Sequence, residues 1–329
     1  MINETMRCPT LKELPSPPEG KTGWPWSEES AKLGDRMPDG RPWPKVSIVT
    51  PSYNQGQFIE ETIRSVLLQG YPNLEYIIID GGSTDNSVDI IKKYSPWLKY
   101  WISEPDRGQS HAINRGLKTS TGLFATWINS DDMLCKNAMM RLATWADWRT
   151  QEVYVGICVF IDEKGKAFKA HQGRIHSFED LVCVRQIWRS NGYIAQPAVL
   201  FPMSLFRDAG GLDGANHWTM DYELWGKFFL QGASFKYNDI EFGIFRCHKS
   251  QKTEDSLRMT CSLVRTARKL IGMCEFLPKT KRKSLLADLR AYKKACLGRR
   301  QRLEEIGIPT WLISILVTIK QEATGFLRK

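Results

Sequence analysis

The stretch Asn129-Ser130-Asp131-Asp132 closes the apolar run LFATWI and sets two adjacent carboxylates at the tip of what reads as a buried strand. Asp and Asn in that position can cap a helix or a turn with their side-chain oxygens. They can also serve a hard cation such as Mg2+ or Mn2+, which takes one or two carboxylates together with substrate phosphate oxygens. Asp131 and Asp132 meet that need without a complete protein cage. Asp80, which ends YIIID, has the same two-sided character, as a cap or as an acceptor for a nucleobase N–H. A third carboxylate group, Asp221 and Glu223, lies in MDYELW. Two residues apart on a helix they face opposite ways, so one pocket can use only one of them. Asp221 shares a face with Trp225. Asp221 also reads as a carboxylate held at a helix start by the dipole, and Trp225, like Tyr53, as a core aromatic. Other chemistries lose their main support: the chain has no G-x-G-x-x-G, no G-x-x-x-x-G-K-[ST], no H-E-x-x-H and no G-x-S-x-G.

The elements that must carry these residues begin at Val46. VSIVT, LEYIIID, LKYWIS and LFATWIN are short apolar runs of the buried-strand type. Between them, QFIEETIRSVLLQG, SVDIIKKY and GQSHAINRGLKTS have helical spacing, the first closed by Gly70. Strand and helix in strict alternation predict a parallel sheet with helices on its faces. Ligands gather beyond the carboxyl ends of such strands, which is where PSYN, DGGSTD and NSDD fall. Further on, the pattern predicts a strand AVLFP, a short helix SLFRDAG, the helix DYELWGKFFLQG and two strands, SFKYND and EFGIFRC.

Residues 1–44 are rich in Pro, Gly and Trp and read as an extended arm, draped on the domain or partly disordered. The net charge of +10 sits almost wholly in the tail: residues 249–329 hold 19 Lys/Arg against 7 Asp/Glu, leaving 27 against 29 in residues 1–248. Phosphate-backbone binding needs cations on the binding surface itself, so the main domain is not expected to take nucleic acid. The basic tail with its apolar segment WLISILVTI fits either an anionic membrane surface or a solvated helix whose apolar end packs on the domain. Eight cysteines without a C-x-x-C pair argue against a disulfide framework or a zinc ribbon and fit reduced thiols in the cytoplasm.

In order along the chain, VSIVTPSYNQGQFIEETIRSVLLQGYPNLEYIIIDGGSTDNS, SEPDRGQSHAINRG, WINSDD, QPAVLF, GGLD, MDYELW and FRCHKSQKT resemble the motifs of family 2, the inverting nucleotide-sugar glycosyltransferases. The resemblance covers residues 45–253. It implies an α/β GT-A fold, a Rossmann-like, mostly parallel sheet flanked by helices, here with a helical basic C-terminal extension. The expected division is an arm over 1–44, the GT-A domain over 45–250 and the extension over 251–329.

The resemblance also implies roles. Pro51 and Tyr53 would pack around the donor base, and Asp80 would bond to it. Asp131 would hold Mg2+ or Mn2+ at the donor diphosphate, with Asn129 and Asp132 completing the motif. His248 would approach the metal or diphosphate, Arg107 and Asn114 would line the donor side, and Asp221 would be the catalytic base, with Trp225 on its face of the helix as a wall of the sugar site. The implied partners are a nucleotide-sugar donor, UDP-linked first, and a glycan or lipid-linked hydroxyl acceptor. The implied setting is cell-envelope or extracellular polysaccharide or glycolipid synthesis at the inner face of the plasma membrane. The sequence departs from the pattern at Gly81, where many relatives carry a second Asp, at the neutral Asn129, at Met220 before the base, and at His111, which takes no role. These departures keep a second expectation open: a domain of this fold that binds nucleotide sugar or glycan without turnover.

Overall fold

The computed structural model describes residues 8–248, 251 and 256–305. The chain forms two compact units. The first takes the described residues of Met1–His171, Ala195–Gly214 and Ser234–Cys247; the second takes those of Gln172–Ile194, Ala215–Ala233 and His248–Lys329. The strands, all in the first unit, are β1 (Val46–Ser52), β2 (Leu74–Asp80), β3 (Tyr100–Ser103), β4 (Phe124–Trp127), β5 (Met133–Leu134), β6 (Val153–Ile161), β7 (Ala167–His171), β8 (Val199–Pro202) and β9 (Phe235–Arg246). The helices are α1 (Ile59–Leu67), α2 (Ser87–Tyr94), α3 (Gln109–Thr119), α4 (Ala138–Trp145), α5 (Phe178–Val182), α6 (Val184–Arg189), α7 (Met203–Asp208), α8 (Met220–Leu230), α9 (Ser256–Met273) and α10 (Lys279–Glu305).

The strand order is β3-β2-β1-β4-β8-β6-β9-β5, with β7 beside β6. The four strands that alternate with helices in the sequence are mutually parallel, as their spacing requires. From β4 onward the sheet is mixed: β8 runs antiparallel to β4 and β6, while β9 runs parallel to β6. Register does the positioning. Ser52 pairs with Asp80 and Asp80 with Ser103, so three polar residues line up where three parallel strands end. The apolar positions of α1, among them Ile59, Ile63 and Val66, are fully buried.

The runs SFKYND and EFGIFRC form one strand, β9, where the sequence pattern predicts two. Asn238 interrupts the apolar pattern, and its side chain accepts the Ile240 N–H at 3.0 Å. The pairing with β6 shifts register between Val155 and Cys158, so the partner absorbs the irregularity and the strand continues.

The arm packs on the first unit rather than hanging from it. Cys8, Leu14, Met37 and Trp43 enter the core. Arg64 of α1, fully buried, donates to the carbonyls of Pro15 (2.8 Å), Pro25 (3.1 Å) and Trp26 (3.0 Å). A buried guanidinium is costly unless its donors are used, and here the arm's main chain uses them. Trp24 Nε1 donates to the Leu134 carbonyl at 2.9 Å, and the Asn137 amide oxygen accepts the Ala31 N–H at 2.9 Å.

The second unit is helical. α8 and α9 meet at Gly226, where an added Cβ would lie 2.3 Å from Leu270 Cδ1, so a larger residue would require the Leu270 side chain to move. α10 buries Leu285, Leu289 and Tyr292, one stripe at helical spacing, and exposes Lys281, Lys283, Arg290, Lys293 and Lys294. The run WLISILVTI, read above as apolar or interfacial, lies outside the described residues. Among the described residues no helix is long and apolar enough to cross a membrane.

Candidate active site

Asp80 is fully buried at the end of β2, and the loop after it folds back onto its carboxylate. Oδ2 accepts the N–H of Gly82 (3.1 Å), the N–H of Ser83 (2.8 Å) and the Ser103 hydroxyl (2.7 Å), while Oδ1 accepts the Ser83 hydroxyl at 2.6 Å. Gly82 turns its N–H inward at φ +82°, a left-handed value that glycine adopts freely. Oδ1 thus has lone-pair capacity beyond its one bond.

The loop after β1 is tied to this one. Asn54 N–H donates to the Ser83 hydroxyl (2.8 Å), Thr84 N–H to the Asn54 amide oxygen (2.8 Å) and Gly56 N–H to Asp85 (2.9 Å). Tyr53, at the head of that loop, is 61% exposed, so the core-aromatic reading does not apply to it. Pro51 is buried in β1 opposite Ile79. Gly81 also has a local reason: a Cβ there would come within 3.2–3.3 Å of the Asp106 carboxyl, so an acidic residue would crowd a like charge.

At the end of β4, Asn129 and Asp132 form one network. Gln109 Nε2 donates to Asn129 Oδ1 (2.7 Å), Asn129 Nδ2 to Asp132 Oδ2 (3.0 Å), and the Arg246 N–H to Asp132 Oδ1 (3.0 Å). Asp132 is 1% exposed. Burial, with Asp131's charge beside it, pushes its pKa well above the usual carboxylate range. A third carboxylate at 129 would add repulsion where the amide supplies a donor. Asp131 is half-buried, and its carbonyl accepts from Arg246 Nε at 3.1 Å.

Among the described residues no group of three or more His, Cys, Asp or Glu gathers to hold a metal ion. Mg2+ and Mn2+ do not require one; a single carboxylate, diphosphate oxygens and water complete such a shell. The crowded negative charge at Asp131 and Asp132 is what a divalent cation would relieve, so the donor set fits.

Asn114 on α3 is occupied within the chain. Its Nδ2 donates to the Leu212 carbonyl (2.8 Å) and its Oδ1 accepts the Leu212 N–H (2.9 Å), clamping the GGLD turn. Arg107 is exposed, and His111 Nδ1 is buried with no hydrogen-bond partner.

In the second unit, Asp221 opens α8. The Tyr222 N–H donates to its Oδ1 at 2.8 Å, and burial raises its pKa above the usual carboxylate range. Glu223 is 2% exposed and already engaged by Lys269 (2.7 Å), Lys227 (3.5 Å) and Asn216 (2.9 Å), which removes it as a rival base. Trp225, offered above as a sugar wall, is instead core: 2% exposed, its ring 5.7 Å from Phe228. His248 is buried, and its N–H donates to Gln251 Oε1 at 3.3 Å.

Residues that the motif reading left without a role are also prominent, Arg246 above all. The period-two pattern of EFGIFRC puts Arg246 in phase with buried Phe242, and a lone cation on that face is the signal that could have found it.

The glycosyl transferase family 2 model matches residues 47–209. An uncharacterized glycosyltransferase of Rickettsia prowazekii is 30% identical over 218 residues, covering 65% of this chain and 67% of its own. The chain belongs to glycosyltransferase family 2. Its fold is shared with S. aureus TarS 1–349 in complex with UDP-GlcNAc (TM-score 0.59, 17% identity, 84% of this chain and 81% of that one). It is shared too with the Pyrobaculum calidifontis mannosyltransferase PcManGT, solved with GDP-Man and Mn2+ (TM-score 0.53, 17% identity, 92% of each). The fold is thus GT-A, with a helical extension after the sheet.

Proposed function

We propose that this glycosyltransferase is metal-dependent and inverting, a hexosyltransferase moving sugar from a nucleoside-diphosphate donor, UDP-linked first, to a hydroxyl on a glycan or lipid-linked acceptor. The observation that carries the reading is the end of β4, where half-buried Asp131 projects beside a fixed, buried carboxylate in the same unit as the interlocked loops after β1 and β2. TarS bound to UDP-GlcNAc and PcManGT bound to Mn2+ support the donor class and the ion.

In this reading Asp80 takes a nucleobase N–H on its under-used Oδ1, while exposed Tyr53 and the Pro51 ring pack on the base. Asn129 and Asp132 hold the motif's shape, and Asn114 serves the donor side through the turn it clamps. Asp131 would hold Mg2+ or Mn2+, which when bound supplies a Lewis acid for charge on the leaving diphosphate. Asp221 accepts the acceptor hydroxyl's proton as that oxygen attacks the anomeric carbon in line, inverting it with no covalent enzyme intermediate. A pKa raised by burial suits a base that must take up a proton.

The exposed cations of α10 support an anionic membrane surface as partner and, with it, work at the inner face of the plasma membrane in cell-envelope or extracellular polysaccharide or glycolipid synthesis. The extension over 251–329 is its own functional segment in this proposal. The test is a thermal-shift screen of nucleotide sugars with Mn2+, followed by calorimetry and a transfer assay with the sugar selected. Metal-dependent donor binding with turnover supports the reading. Donor binding without hydrolysis or transfer would make the chain a binding domain instead.

A further inference from the structure

We infer that Arg246 is the positioning residue of the strand-end carboxylates, held in turn by Glu61 and by Trp26 of the N-terminal arm. The inference rests on the metal reading proposed above and goes beyond it by naming what aims Asp131. Arg246 is 3% exposed, so its guanidinium must be repaid by good bonds. It reaches both residues of the motif by different atoms: its main-chain N–H, which any residue but proline would supply, donates to the Asp132 carboxylate at 3.0 Å, and its side-chain Nε donates to the Asp131 carbonyl at 3.1 Å, the contact that the guanidinium itself makes. That bond ties the peptide following Asp131 to a charged donor and so restrains the stretch of backbone from which the Asp131 side chain departs.

The guanidinium is itself fixed from two sides. Nη2 donates to Glu61 Oε2, and the cation lies 4.9 Å from the centre of the Phe58 ring. The other oxygen of Glu61 accepts Trp26 Nε1 at 3.0 Å. A line of direct contacts therefore runs from the arm through α1 to the main chain of Asp131. Lysine cannot replace this arrangement, because a single ammonium lacks the planar fork that serves a carbonyl and a carboxylate together.

The test is Mn2+ binding to the full chain in the presence of UDP, followed by electron paramagnetic resonance, with Km and kcat measured on the same samples. Arg246→Lys, Glu61→Gln and Trp26→Phe are compared with Val66→Ala, a buried position elsewhere on α1 chosen to report plain loss of stability. Arg246→Lys should weaken Mn2+ binding about 10- to 100-fold, the range for groups that orient a metal ligand. Glu61→Gln should follow it, and Trp26→Phe should show a smaller loss. UDP affinity without metal should hold. If Arg246→Lys does not fold, the other two variants decide. Unchanged Mn2+ affinity in the folded variants overturns the inference, and so does an equal loss in Val66→Ala. A native chain that binds no Mn2+ with UDP would instead bring down the metal reading first, and this inference with it.

Discussion

Asp80 is fully buried and Asp221 only partly exposed, and their surroundings differ. Asp80 accepts four hydrogen bonds from its own loop and from Ser103. Asp221 takes the N–H of the next residue, and burial shifts it toward the protonated form. The first environment fixes an acceptor that always presents the same face, as recognition requires. The second leaves a group whose charge is easily discharged, which suits the base role proposed for it. Enclosure alone does not define a role; the donors around the carboxylate do.

The comparison can be broken most directly at the metal. Asp131→Ala should take transfer to background, matching native protein treated with a chelator, with Mn2+ restoring only the native chain. Asp221→Asn should lower kcat about 100- to 10,000-fold, the usual contribution of a general base, while UDP affinity is unchanged by calorimetry. A variant transferring at the native rate would remove Asp221 from the chemistry. The pH profile carries a sign. The base works ionised and its pKa is raised, so the acid limb of kcat should lie above the ordinary Asp range and vanish in Asp221→Asn. The same shift burdens the fold once Asp221 is ionised. Asp221→Asn should therefore melt higher than native protein at neutral pH, and the gap should close as pH falls through the raised pKa and below the ordinary one.

Asp80→Asn should do the reverse. It loses charge-assisted acceptors, costing about 1.5–3 kcal/mol, and should show lower melting together with weaker UDP binding. The smallest effect belongs to α10: Arg290→Glu with Lys293→Glu should weaken binding to anionic vesicles by about 1 kcal/mol per cation removed, most clearly at low salt, with transfer to a soluble acceptor unchanged.

The parallel half of the sheet was legible because each strand is a short apolar run followed by a helix of matching period, and register then follows from length. The carboxylates at the strand tips were legible as positions, since they interrupt apolar runs. What held them was not. Arg246 is 115 residues from Asp131 and 185 from Glu61, and no local pattern encodes a bond over that distance. Trp225 looked like a sugar wall because helical spacing sets it beside Asp221, but spacing does not say which side of a helix its neighbours cover. The single strand β9 was split in the sequence pattern because the repair, a register shift, lies in its partner β6.

The arm's attachment bears on how the protein is made. Trp24 bonds a carbonyl 110 residues downstream and Ala31 an amide 106 residues downstream, while Glu61, Arg64 and Asn73 anchor the arm from much nearer in the chain. During synthesis the arm can make its bonds to Glu61, Arg64 and Asn73 early, while those to Leu134, Lys136 and Asn137 wait until the segment after β4 has been translated. Final docking of the arm is thereby coupled to the arrival of the segment that follows β4.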